Sequence, residues 1–248
     1  MNILVAMDSF KGSMSSKALS ETIKRHLIDI NNTLNVKNVP IADGGEGTVE
    51  ALAMLKGFKY HTISVHNPLM NPIEVTYGQI GDTAIMEMAS CSGLNTIDKE
   101  DKNPALTSTY GLGEMIIDAV NKGMHTFIIG LGGSATNDGG MGVLSAFGYA
   151  FYDENNNPLQ PVGKNLIDIT SIVPPKVSPL PSNVHFKLAC DVINPFYGPN
   201  GAAAIFGPQK GADKHMVSLL DKGMQHYANL IKKLKGIDLQ SIAGSGAA

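Results

Sequence analysis

The stretch Thr126–Gly142, TFIIGLGGSATNDGGMG, sets a short apolar run directly before six glycines, with Ser134, Thr136, Asn137 and Asp138 placed among them. Phe127, Ile128 and Ile129 make a continuous apolar run that suits a strand buried on both faces, as in the parallel sheet of an α/β protein. The polar loop after it then emerges at the carboxyl edge of the sheet, where open α/β sheets hold ligands. Glycines let the backbone approach a ligand closely, and successive N–H groups can converge on an anion. Ser134 and Thr136 add hydroxyl donors, while Asp138 can hold a metal ion or take a proton. The plainer reading is a long turn; the density of polar residues between the glycines favours a binding loop over Gly132–Gly140.

Outward from this stretch the same strand, loop and helix order recurs. Ile3–Met7 reads as a buried strand, followed by Asp8-Ser9-Phe10-Lys11-Gly12-Ser13. Ser15 or Ser16 caps the next helix, whose Leu19, Ile23, Leu27 and Ile30 share a face. Asp8, at the strand end, can hold magnesium or substrate hydroxyls, and Lys11 can neutralise phosphate charge. Without a ligand, Asp8 and Ser9 simply cap the turn and Lys11 is solvated. A second apolar segment, Leu34–Val39, leads to Asp43-Gly44-Gly45-Glu46-Gly47-Thr48 and a helix with Val49, Leu52 and Leu55 inward. A capping box accounts for Glu46 and Thr48 but poorly for Asp43 beside paired glycines.

From Lys59 the pattern changes to alternating runs, Tyr60–Val65, Ile73–Ile80 and Ala84–Met88, which predicts an antiparallel meander and a domain boundary near His66–Asn71. A helix face of Leu112, Met115, Ile116, Ala119 and Val120 precedes the central strand. After the central loop come a helix at Val143–Phe147, a strand at Tyr149–Tyr152 and a proline-rich surface connection over Ile172–Asn183. The apolar strand His185–Cys190 ends in Asp191, which thereby takes a position like that of Asp8. Gly198–Gly211, GPNGAAAIFGPQKG, is a fourth Gly-rich loop, carrying Lys210. A long helix over Asp213–Leu234 follows, with Met216, Leu220, Tyr227, Leu230 and Leu234 on its buried side.

Composition excludes several classes. With 43% hydrophobic and 17% charged residues the chain is an ordinary globular one, and its net charge of −3 gives no basic footprint for nucleic acid. Cys91 and Cys190 are isolated, without a zinc spacing, which fits a reducing compartment. No apolar run approaches membrane length and the start MNILVAMDSFKGS lacks an export pattern, so the expected location is cytoplasmic. Arg25 is the only arginine and lies away from every Gly-rich loop, so a ligand carboxylate would have to be met by lysines, by backbone N–H groups or by something outside this sequence.

Four Gly-rich loops, strand-end Asp8 and Asp191, Asp43, Lys11 and Lys210 make a set suited to phosphoryl transfer. In that chemistry metal and cationic groups offset charge while a carboxylate orients the attacking hydroxyl. No GxxxxGK[ST] or HRD and DFG set is present, which excludes P-loop and protein kinases.

The motifs Asp8-Ser-Phe-Lys-Gly-Ser, Ala42-Asp-Gly-Gly-Glu-Gly-Thr, Thr109-Tyr-Gly, Gly132-Gly-Ser-Ala-Thr-Asn-Asp-Gly-Gly, Cys190-Asp-Val, Asn194-Pro and Phe206-Gly-Pro-Gln-Lys-Gly-Ala resemble, in order, those of the bacterial glycerate kinase family. The resemblance spans nearly the whole chain. It implies MgATP-dependent phosphorylation of D-glycerate to 2- or 3-phosphoglycerate, with Mg2+ as cofactor and D-glycerate and ATP as substrates. It also implies two α/β domains, a Rossmann-like parallel-sheet domain formed from both chain ends and an inserted mixed α/β domain. Residues 1–68 would be the first segment of the Rossmann-like domain and 69–248 the inserted domain. The family continues past the Gly/Ala-rich Ile242–Ala248, through further strands, helices and a GEGR-type motif, so this chain alone is expected to be poorly active.

Placed on matching positions, the expected catalytic residues are Asp191, orienting the glycerate hydroxyl, with Lys11 and Lys210 on phosphate charge. Asp8, Ser9, Asp43, Gly44, Gly45, Glu46, Gly132, Gly133, Ser134, Thr136, Asn137, Asp138, Gly139 and Gly140 are expected to bind substrate or phosphate. Asp8, Asp43 and Asp138 are the candidate metal ligands. Two rival readings stay open. Gly130-Leu-Gly132-Gly-Ser-Ala135 after a strand, with Asp153 further on, fits an NAD(P)-dependent oxidoreductase, although Asn137–Gly140 falls where a helix should already run. A non-catalytic metabolite-binding module is the other.

Overall fold

The computed structural model describes residues 1–10, 13–42, 44, 45 and 47–247. In chain order its elements are β1 (Asn2–Val5), α1 (Ser16–Ile30), β2 (Asn35–Asn38), α2 (Thr48–Leu52), β3 (Lys59–His66), β4 (Pro72–Ile80), β5 (Thr83–Glu87) and α3 (Met88–Ser92). There follow α4 (Tyr110–Asn121), β6 (Thr126–Gly130), α5 (Met141–Ala146), β7 (Ala150–Tyr152), β8 (Ser171–Val173), β9 (His185–Ala189), α6 (Ala202–Phe206) and α7 (Lys214–Lys235).

The alternating runs after Phe58 form the expected meander, with β3, β4 and β5 joined antiparallel. The sheet then changes character: β5, β6 and β9 run parallel, giving the order β3-β4-β5-β6-β9. Helix α4 connects β5 to β6, the crossover that a parallel pair requires. Glu87, Gly130 and Ala189 are in register at one edge, so every loop leaving a parallel strand leaves it there. A separate parallel pair, β1 with β2, carries α1, and β7 pairs antiparallel with β8. The change of sheet thus falls between α2 and β3, ahead of the turn at 67–71.

The main core lies between the five-stranded sheet and α4, where Tyr77, Met86, Met115, Ile116 and Phe127 are buried. Tyr77 keeps its hydroxyl satisfied there by donating to Asp118 Oδ2 at 2.6 Å. A second core gathers Phe151, Leu166, Ile169, Phe196 and Tyr227 under α7. Asp213 caps α7 by accepting from Met216 N, and Gly236 ends it in the left-handed region.

Several sequence expectations change in detail. Ile30 and Leu55 are exposed at 82% and 52%, because α2 stops at Leu52 and α1 has only the two-stranded pair to cover. The expected connection over Ile172–Asn183 begins instead as a strand, Ile172 and Val173 belonging to β8 and pairing with β7. The apolar β9 is the sheet's last strand, so Leu188 is exposed at 60% rather than buried. No helix among the described residues is long and apolar enough to cross a membrane.

Candidate active site

The central loop is held from below by its own side chains. Gly140, at φ +79°, ends the loop in a conformation that a side chain would disfavour, and α5 starts only at Met141. Asp138 is buried and accepts four hydrogen bonds, from Thr109 N at 2.8 Å, Thr109 Oγ1 at 2.9 Å, Gly142 N at 3.0 Å and Gly140 N at 3.1 Å. Burial pushes its carboxyl up, and those donors pull it back. Thr136 and Asn137 are buried as well; Thr136 Oγ1 and both polar atoms of the Asn137 amide have no hydrogen-bond partner among the described residues.

Lys210 enters from the fourth Gly-rich loop and is only 2% exposed. Its Nζ donates to Ser134 Oγ at 2.8 Å and to Thr136 O at 2.6 Å. Burial pulls its ammonium down to about 8, and the nearby Asp138 charge opposes the fall. A cation without a directly bonded carboxylate is costly to bury unless an anion arrives to meet it.

The second loop lies directly on the strand ends. Gly44 O accepts from Gly132 N at 3.3 Å, and a Cβ on Gly130 would come within 2.2 Å of that same oxygen. Only glycine permits that approach. Gly44, Gly132, Gly133, Ser134, Asp191 and Lys210 therefore line one cleft of about 210 Å3. A neighbouring cleft of about 470 Å3 is lined by Ser9, Ser13–Ser16, Gly47 and Glu87. Asp8 accepts from Ser9 N at 2.7 Å, which ties its carboxylate to the first loop.

The structure thus brings together Gly44, Gly132, Gly133, Ser134, Asp191 and Lys210 in one cleft and places Ser9 in the other. Gly45 is buried beside Gly132. Thr136, Asn137 and Asp138 lie beneath the loop rather than in the smaller cleft, while Gly139 and Gly140 border an apolar hollow on its far side together with Asp138. Lys11, Asp43 and Glu46 lie outside the described residues. Among the described residues no three His, Cys, Asp or Glu side chains gather as a metal site.

Among the lining residues that the sequence reading did not assign to the site are Glu87 and Cys190. Glu87 ends an apolar strand just as Asp8 and Asp191 do, and that shared signature could have found it. Cys190 lines the smaller cleft beside Asp191, a placement that only the parallel pairing of β6 and β9 reveals.

The oxidoreductase reading needs a helix that begins within GLGGSA, but the loop runs on to Gly140. Asp153, the residue that would hold a ribose, spends its carboxylate on Asn155 N and Asn157 N in its own turn. What fold and site define together is an α/β protein with Gly-rich loops and a buried lysine at the carboxyl ends of parallel strands.

Comparison with known proteins narrows that class. The Glycerate kinase family model matches residues 3–248. A glycerate kinase of Bacillus subtilis (strain 168) is 41% identical, the match covering 100% of this chain and 65% of the relative. The glycerate 2-kinase of Escherichia coli (strain K12) is also 41% identical, covering 100% and 66%. A crystal structure from Salmonella typhimurium LT2, assigned as glycerate kinase 2, superposes with a TM-score of 0.86 at 38% identity, covering 100% of this chain and 67% of that one. The chain belongs to the glycerate kinase family. It spans about two thirds of the length of these relatives.

Proposed function

We propose that the protein is a glycerate kinase, transferring the γ-phosphoryl group of ATP to a hydroxyl of D-glycerate to give 2- or 3-phosphoglycerate. The observation that carries this reading is the single cleft that holds a buried lysine, the Gly132–Ser134 backbone and the Asp191 carboxylate together. Lys210 and the loop N–H groups offset phosphate charge, and Asp191 orients the attacking hydroxyl. Lys11 is the second cation of this proposal, and Ser9, Gly45 and Glu46 bind phosphate or substrate from the first two loops.

A magnesium ion held here would offset negative charge on the phosphoryl groups of the nucleotide. Asp8 and Asp43 are the side chains proposed to reach it. Asp138 fits a metal poorly, since its two oxygens already take four hydrogen bonds, and we assign it to support of the Thr136–Gly140 turn. Residues 1–68 are proposed as the first segment of a Rossmann-like domain and 69–248 as the inserted α/β domain; β3, at the end of the first segment, already pairs with the sheet of the second. Two unpaired cysteines suit a cytoplasmic setting.

The test is phosphorus NMR of the chain with MgATP and D-glycerate. A new phosphomonoester signal that requires D-glycerate and is lost in Asp191→Asn is the expected result, and its shift distinguishes the 2- from the 3-phosphate. Release of inorganic phosphate alone, or an unimpaired Asp191→Asn, would overturn the assignment.

A further inference from the structure

Glu87 ends β5 in register with Gly130, on the same strand-end row that carries the site. Its Oε1 accepts a hydrogen bond from Val49 N at 2.7 Å, reaching across 38 residues to the first turn of α2. That helix has Gly47 as its N-cap, so no side chain of its own caps it. This bond and the one from Gly132 N to Gly44 O both tie the 44–52 segment to the five-stranded sheet. A third contact closes the loop on itself, Thr48 Oγ1 donating to Gly45 O at 2.8 Å.

We infer that Glu87 is a positioning residue for the proposed phosphoryl transfer, latching the α2 end of the second loop so that Gly44 and Gly45 stay seated over Gly130 and Gly132. The geometry leaves little slack. A Cβ at Gly44 would lie 2.8 Å from Ala189 O, and one at Gly132 would lie 2.9 Å from Gly45 Cα. The loop is therefore in close contact with both parallel strands that bear the site, two residues ahead of Asp191. Asp8, Asp43 and Asp191 are read as acids that meet the ligand, whereas Glu87 acts through the backbone it holds. A carboxylate on a helix N-terminal N–H is also among the stronger neutral-to-charged hydrogen bonds, and the helix dipole favours its sign.

The turnover arm rests on the glycerate kinase reading; the exchange arm does not. Glu87→Ala and Glu87→Gln are compared by amide hydrogen exchange over 44–52 and by steady-state kinetics with D-glycerate. In Glu87→Ala the Val49 amide is expected to exchange at least about tenfold faster, and kcat to fall by about tenfold to a hundredfold, as for a small misplacement near the reacting atoms. Glu87→Gln keeps an oxygen that can accept from Val49 N, and it should regain protection and most of the turnover. Unchanged exchange in Glu87→Ala would overturn the latch. So would a Glu87→Gln that stays protected yet turns over as poorly as Glu87→Ala, since the charge itself would then be what matters. If the wild-type chain shows no turnover at all, that failure belongs to the kinase reading and exchange alone decides.

Discussion

Lys210→Met tests the buried cation directly. Burial lowers the Lys210 ammonium from the ordinary 10.5 to about 8, so holding its charge in the folded protein costs about 3 kcal/mol near neutral pH. The unfolded chain keeps that proton up to the ordinary lysine range, while the folded chain gives it up near 8. Between those values the unfolded state binds more protons, and the stability of the wild type must rise with pH. Between about pH 7 and about pH 10 the wild type should gain about 2.5 kcal/mol on Lys210→Met, in which this group is absent. At neutral pH the two should differ less, because methionine removes the charge penalty but also both hydrogen bonds, leaving Thr136 O without Lys210. Urea unfolding of both proteins at several pH values gives the difference directly. On the proposed kinase reading, in which Lys210 meets phosphate, the kcat/KM of the wild type should also fall along a basic limb near the Lys210 value. A wild-type minus mutant stability that stays flat to about pH 10 would refute the argument, whatever the activity did.

Asp138→Ala leaves four donors around an empty buried site; at about 1–3 kcal/mol for each it should cost 4 kcal/mol or more in urea unfolding, about twice the loss of Asp138→Asn, whose oxygen still accepts. Gly130→Ala sets a Cβ 2.2 Å from Gly44 O, and the second loop must shift: a loss of about 2–3 kcal/mol, with a raised KM for D-glycerate, is the expected outcome of thermal melts and kinetics. Cys190 is exposed and Cys91 is buried with its thiol pushed up to about 12, so a disulfide reagent at neutral pH should titrate one thiol in the native chain and both in denaturant.

How far the site could be read beforehand depends on whether a residue's role is local. Phe127–Ile129 with the glycines after it announces a buried strand and its loop, because both signals lie within a dozen residues; the structure places strand, loop and edge there. The Lys210 contact with Ser134 spans 76 residues, and the Glu87 bond to Val49 spans 38; no periodicity carries either. Family resemblance supplied Lys210, since its motif is contiguous; the strand-end position could have singled out Glu87 but not its partner, a backbone N–H that leaves no trace in residue type. The same limit explains Thr136, Asn137 and Asp138. Their polarity marks them as binding residues in the sequence; in the structure all three are buried, Asp138 holds the turn through four hydrogen bonds, and Gly132, Gly133 and Ser134 line the smaller cleft. Polar residues in this Gly-rich loop thus divide between lining the cleft and lying buried beneath it. In this chain the division falls after Ser134: Lys210 bonds the side chain of Ser134 but only the backbone oxygen of Thr136.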